Sequence, residues 1–324
     1  MRALLIPMTA GALLVAGLAT PAQAAPQTAG DVHLVTGAEL NTFRHTVRYA
    51  NGTWKTWDAS PASNIDNAGD MESVVINGAD HVFYRATATH MPTNFLYRHL
   101  IRDAAGNWSA GTLPGGMGEQ DSKVSVANLN GHIALVDDAG GALKLSLQQN
   151  DNTWSAWENV PLTEEISDFA VAANGGVLRL VGANQAGTQI GDFERAANGT
   201  WSAPNWTPFN GSPMTAISVA QVGSDLQVVA STYAGEEDEL RHSIRHANGV
   251  WDQFGDIEGA AGNVPGIGVV SVTSSRGELQ MAFSASNGKL YHTIRHANGT
   301  WQRFGDATGL VGPGWTGGVT LAAE

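Results

Sequence analysis

The stretch Leu290-Tyr-His-Thr-Ile-Arg-His-Ala-Asn-Gly-Thr-Trp301 nearly repeats Leu240-Arg-His-Ser-Ile-Arg-His-Ala-Asn-Gly-Val-Trp251. Fainter copies end at Trp54, Trp108, Trp154 and Trp201, so successive tryptophans stand 46 to 54 residues apart. That period suits the blade of a β-propeller and exceeds the ankyrin, TPR and leucine-rich units. Six tryptophans predict six blades.

Each unit reads as four short strands. In the last unit Val269-Val-Ser-Val272 is an apolar run, Leu279 to Phe283 alternates, and Leu290 to Arg295 follows a glycine-containing turn. A fourth strand carries the tryptophan. Asn-Gly at 51-52, 198-199, 248-249 and 298-299 falls between strands three and four and predicts a two-residue type I′ turn. The C-terminal Gly318 to Ala323 matches the first strand of a blade whose remaining strands are missing there. Asp31 to Thr36, Phe43 to Arg48 and Thr53 to Trp57 supply them at the other end. The expected fold is therefore all-β: a six-bladed β-propeller of four-stranded blades over residues 31–324, closed by pairing of the C-terminal strand with the N-terminal blade. Such closure leaves no free sheet edge.

Ahead of the repeats, Arg2 precedes an apolar stretch from Ala3 to Leu18, followed by Ala22-Gln23-Ala24. This is the pattern of a secretory signal peptide over residues 1–24, with a short linker over 25–30. The apolar stretch contains Pro7 and falls short of the roughly 20 residues that span a bilayer. No similar run follows, so a secreted bacterial protein without a membrane span is expected. Cysteine is absent, which excludes disulfides and thiol chemistry. A chain of this length buries enough core to do without them. The net charge of −13 lacks the basic footprint that nucleic acid or an anionic membrane requires, leaving neutral or cationic ligands.

The repeat also nominates site residues. The ninth residue before each tryptophan is His45, His99, Leu145, Asp192, His242 or His292; the sixth is Arg48, Arg102, Gln148, Arg195, Arg245 or Arg295. An odd difference puts the two on opposite faces of the strand. The histidine shares its face with Val47, Ile101, Ile244 and Ile294. It reads as a buried ring bonded to the neighbouring blade, with a ligand contact as the other reading. The guanidinium either clamps the adjacent turn or offers paired donors to ligand hydroxyls. The tryptophans read as packing anchors.

With Leu290-Tyr291-His292 and Trp154-Ser-Ala-Trp157, the unit resembles the repeat of bacterial PLL-like propeller lectins. It is more distantly similar to tachylectin-type and fucose-binding propellers, whose blades carry Leu-Trp-His and Gly-x-Trp-Ser-x-Trp strands. The resemblance covers essentially the whole mature chain. It implies a secreted, multivalent carbohydrate-binding protein that recognises glycans or cell-surface polysaccharide through His45, Arg48, His242, Arg245, Tyr291, His292 and Arg295. There are departures. Arg44, Arg98, Lys144, Gly191 and Arg241 stand where Tyr291 is the one aromatic, so stacking platforms are mostly missing. Blades three and four lack the histidine, and blade two lacks the aromatic that Trp57, Trp157, Phe254 and Phe304 supply three residues after the tryptophan. Blades one, five and six are thus the expected sites.

Two other readings stand beside this one: a targeting subunit with a secreted protein partner, and an extracellular hydrolase. Sialidase blades place Ser-x-Asp-x-Gly-x-Thr-Trp at the same turn, but here the glycine is two residues before the tryptophan and no aspartate is in register. Glycoside hydrolysis needs two carboxylates about 5 to 10 Å apart, and no distinctive pair occurs. Glu236 to Glu239 reads as a solvated loop or a weak calcium site, and Asp256 and Asp306 as turn caps. No nucleophile elbow, metalloprotease helix or phosphate loop appears, so no catalytic residue, cofactor or metal is expected.

Overall fold

The apolar first strand of each repeat, followed by alternating outer strands, produces six four-stranded antiparallel sheets in sequence order in the computed structural model. It describes residues 30–38, 42–60, 71–88, 91–117, 123–138, 140–233, 235, 238–312 and 315–323. The expected leader (1–24), residues 25–29 of the linker, and Glu236 and Glu237 of the acidic loop lie outside these. The last blade comprises Ile267–Ser275, Glu278–Ala285, Leu290–Arg295 and Gly305–Asp306. Its innermost strand lines a central channel together with those of the other five blades, through Val74, Val126, Val171, Val219, Val272 and Leu321.

The core lies between blades. Leu240 and Val229 of blade five pack against Leu279, Met281 and Phe283 of blade six, and Ala282 and Leu290 of blade six against Val32, Leu34 and Leu321 of blade one. Middle strands are therefore covered on both faces. Val32–Ala38 is buried at every residue, which is why its sequence does not alternate in polarity.

The expected closure is found. Trp315–Ala323 pairs antiparallel with Val32–Ala38, Val32 facing Ala323 and Leu34 facing Leu321, so the first blade is built from both chain ends. No helix among the described residues is long and apolar enough to cross a membrane.

Two local expectations are corrected. The turn before the tryptophan is not type I′: Gly52, Gly199, Gly249 and Gly299 have φ of 87° or 88°, whereas none of the preceding asparagines has a positive φ. Gly52 N–H bonds to the Tyr49 carbonyl (2.8 Å) and Tyr49 N–H to the Thr53 carbonyl (2.8 Å). This is a three-residue loop, a type I turn ending in a left-handed residue. The asparagine serves as an acceptor instead, Asn51 Oδ1 taking the Thr53 N–H at 2.9 Å.

Strand four of the first blade is Asp58–Ala59, not Thr53 to Trp57. Arg48 bridges Trp54, yet His45 faces Asp58. Three residues on one strand thus oppose four on the other, a β-bulge that interrupts the ladder after the tryptophan. Blades three to six repeat it, with Leu145 facing Glu158, Asp192 facing Asn205, His242 facing Gly255 and His292 facing Gly305. Blade two lacks the extra residue, and there alone Trp108 belongs to a continuous strand, Trp108–Ala110. Asp256 and Asp306 cap as expected, accepting the N–H of Gly259 and Thr308 (both 3.0 Å) at the short helices Ile257–Ala261 and Thr308–Val311.

Candidate functional site

Opposite faces of a strand become neighbours once blades stack. The arginine and tryptophan of one blade meet the histidine of the blade before it. Trp301 stands edge-on to His242 (5.4 Å, 83°), Trp54 to His292 (5.3 Å, 90°) and Trp108 to His45 (6.2 Å, 83°).

The four repeat histidines are buried. Their hydrogen bonds stay within the blade, contrary to the sequence expectation. His242 Nε2 donates to Gln227 Oε1 (2.6 Å) and His292 Nε2 to Gln280 Oε1 (3.2 Å), while His45 and His99 pair with His33 and His81 (both 3.0 Å). The reason is geometric: strand two places a side chain beside the ring, whereas the next blade presents a tryptophan in T-shaped contact with it. Burial, reinforced by the Arg295 guanidinium, pushes His242 down to about 3; burial and Arg48 do the same for His292. Both rings are neutral walls of their gaps, not cations.

The arginines divide into two sets. Arg102 donates to Asp58 Oδ2 (2.7 Å) of blade one, and Arg195 grips Glu158 of blade three through Nε (3.1 Å) and Nη2 (2.9 Å). Arg245 is ion-paired to the buried Asp192 of blade four. Glu158 also accepts the Trp201 indole N–H at 2.6 Å, so one carboxylate satisfies both donors of the following blade. Blade three, with Gln148 in place of arginine, carries Thr112 opposite, which accepts from Trp154 Nε1 at 3.2 Å.

At the two remaining gaps the partner is gone. The residue four after the tryptophan is Gly255 facing Arg295, and Gly305 facing Arg48. Among the described residues neither arginine forms a hydrogen bond or ion pair, although Asp252 acts on Arg295 and Glu278 on Arg48 at longer range, and the indole N–H of Trp301 and of Trp54 has no hydrogen-bond partner either. Their pose is nevertheless that of the paired arginines: Nη2 lies 3.5 Å (Arg295) and 3.4 Å (Arg48) from where a Cβ on the turn glycine would stand, against 3.1 Å for Arg195. The space is open, since a Cβ on Gly255 would meet only the His242 carbonyl at 3.9 Å, and one on Gly305 only the His292 carbonyl at 3.6 Å.

The residues proposed from sequence are thus sorted by gap. His242 joins Arg295 between blades five and six, and His292 joins Arg48 between blades six and one. Arg245 is committed to Asp192, and His45 lies in a gap where Arg102 and Asp58 neutralise each other. Tyr291 stacks on Phe283 (5.4 Å, 20°) with its hydroxyl accepting from Asn287 Nδ2 (3.0 Å). It lies four residues, about 13 Å, along the strand from Arg295. Sequence reasoning missed Gly255 and Gly305, although the fourth residue after each tryptophan (Asp58, Thr112, Glu158, Asn205, Gly255, Gly305) carries the signal. The central channel offers a cavity of about 310 Å³, whose one ionisable lining residue among those described is Glu72.

No family model matches the chain, and no curated protein matches it. Solved structures do. Aleuria aurantia lectin, in complex with α-methyl-L-fucoside, is 16% identical with a TM-score of 0.61, over 88% of this chain and 97% of that one. A triple arginine-to-alanine mutant of AofleA from Arthrobotrys oligospora is 12% identical with a TM-score of 0.67, over 92% and 87%. An α-L-arabinofuranosidase of Clostridium thermocellum is also similar, 12% identical with a TM-score of 0.51, over 75% and 95%. At these identities the likeness is one of fold, and function has to come from the gaps themselves.

Proposed function

We propose that the chain is a carbohydrate-binding propeller of lectin type, exported from a bacterium, with two equivalent sites between blades five and six and between blades six and one. One observation carries this: the arginine that holds an internal carboxylate at three other gaps is retained at these two, while glycine stands where Asp58 and Glu158 supply the carboxylate at two of those three. A guanidinium fork supplies paired donors, and the indole N–H of the same blade is a further one. Neighbouring hydroxyls of a sugar ring, or the carboxylate of an acidic sugar, offer the paired oxygens they lack, and a neutral imidazole and an indole wall the space. Each shallow site would bind at about millimolar strength, roughly 4 kcal/mol. Two sites on one rigid ring, engaging one glycan surface, add a factor of roughly 10² to 10⁴. The resemblance to PLL-like repeats and the lectins among the structural neighbours support this reading. A hydrolase is disfavoured by a channel whose described lining has a single carboxylate.

Refilling the gaps tests it. Neither Gly255 nor Gly305 has a positive φ, so both accept a side chain. The double variant Gly255→Glu, Gly305→Glu should reproduce the Glu158 arrangement, abolish the signal of the mature chain on a glycan array, and keep or raise its unfolding temperature. A blank array for the unaltered protein contradicts the lectin reading; undiminished binding by the folded double variant contradicts the location of the sites.

A further inference from the structure

A different gap, between blades one and two, is built unlike the other five. The residue of strand two that faces the repeat arginine, or Gln148 in blade three, is Val32, Ile133, Leu178, Leu226 or Leu279 in five blades, all fully or almost fully buried apolar side chains. In blade two it is Asp80, with no exposed surface. Both carboxylate oxygens of Asp80 are buried and without a hydrogen-bond partner. A buried carboxylate without a hydrogen-bond partner is destabilising unless a cation compensates it, and a core position that is aliphatic five times does not acquire one neutrally.

Two buried imidazoles face it. His33 Nδ1 and His45 Nε2 lie 3.0 Å apart, and each is 3.7 Å from Asp80 Oδ2. The two 3.7 Å separations are too long for hydrogen bonds to the carboxylate, and once the proton shared by His33 and His45 is displaced the three atoms suit the ligands of one ion. A point equidistant from atoms so spaced lies about 2.0 Å from each, the distance at which zinc holds nitrogen and oxygen ligands. The remaining nitrogen of His45, Nδ1, is buried without a hydrogen-bond partner and faces Asp58 Oδ1 at 3.7 Å. Asp58 is itself anchored by Arg102 and Lys55 (both 2.7 Å). At 3.7 Å Asp58 does not yet hydrogen-bond His45, but it is the carboxylate placed to accept the Nδ1 proton if His45 turns to ligate an ion.

We propose that His33 Nδ1, His45 Nε2 and Asp80 bind a divalent transition-metal ion. Two imidazoles and one carboxylate select zinc or a neighbouring first-row ion over calcium or magnesium, which require oxygen ligands. The ion joins strands two and three of blade one to strand two of blade two, a staple across one gap of a chain that has no cysteine. It replaces the sequence expectation that no metal is bound, and is independent of the glycan sites.

The test uses the mature protein, stripped with EDTA, dialysed into metal-free buffer and titrated calorimetrically with zinc chloride. One tightly bound zinc per chain is expected, together with a rise in unfolding temperature that EDTA reverses. Asp80→Leu restores the side chain of the other blades; it should fold without metal, bind zinc roughly 100-fold more weakly or not at all, and show an unfolding temperature indifferent to EDTA. Absence of zinc binding by the unaltered protein overturns the proposal, as does equal binding by the folded Asp80→Leu variant.

Discussion

Neutral imidazoles at His99, His242 and His292 make the stability of the fold sensitive to acid. Burial holds them at about 4, 3 and 3, with Arg295 adding to the effect at His242 and Arg48 at His292. In the unfolded chain they take up protons near pH 6.5. Between those values the unfolded state binds more protons than the folded one, so stability rises with pH from about 3 to 6.5 and levels off above. Each ring contributes a slope of up to about 1.4 kcal/mol per pH unit in that window. Urea unfolding at pH 7.5, 5.5 and 4.5 should show this decline, and His242→Gln with His292→Gln should make it shallower, His99 keeping its share; a profile level to pH 4.5 would refute the assignment. At this scale the sequence revealed that the histidines are buried, because they share a face with Val47, Ile101, Ile244 and Ile294. It concealed their partners, which lie on strand two at no fixed residue type: His33, His81, Gln227 and Gln280.

At the scale of the element, the hairpin between strands three and four shows how far a motif can be read. Asn-Gly announced a turn correctly, but its type depended on which residue takes the positive φ, and a dipeptide does not encode that. Blade three exposes the rule: it has no glycine there, and Asn152 adopts φ 62° in the position that Gly52, Gly106, Gly199, Gly249 and Gly299 fill elsewhere. A left-handed conformation costs an L-residue about 1 kcal/mol, somewhat less for asparagine. Asn152→Gly should therefore stabilise the protein by about 0.5 kcal/mol in denaturant titration, whereas a loss of stability would show that the asparagine side chain does more than tolerate the turn. The bulge after the tryptophan was legible only in retrospect. Its extra residue is what brings Asp58, Glu158, Gly255 or Gly305 opposite the ninth-position residue, and hence into the gap.

Over the whole molecule, the period and the two complementary chain ends were enough to give six blades and their closure. They could not give the sites, because a repeat shows which residues are equivalent but not which faces meet. Arg245 and Arg295 are indistinguishable within their own blades; what separates them is Asp192 in one preceding blade and His242 with Gly255 in the other. The six gaps of the ring are therefore of three kinds, three closed by internal ion pairs, one where Gln148 replaces the arginine and Thr112 accepts from Trp154, and two left open, and the open ones flank blade six. The same logic isolates the Asp80 gap, conspicuous only when six equivalent core positions are compared in space.

The count of open gaps is the central claim, and calorimetric titration of the mature chain with a sugar identified on the array measures it directly. The result predicted is two equivalent sites per chain, falling to one with unchanged affinity in Arg295→Ala or in Arg48→Ala. A single site per chain, or the loss of all binding on either substitution alone, would contradict it.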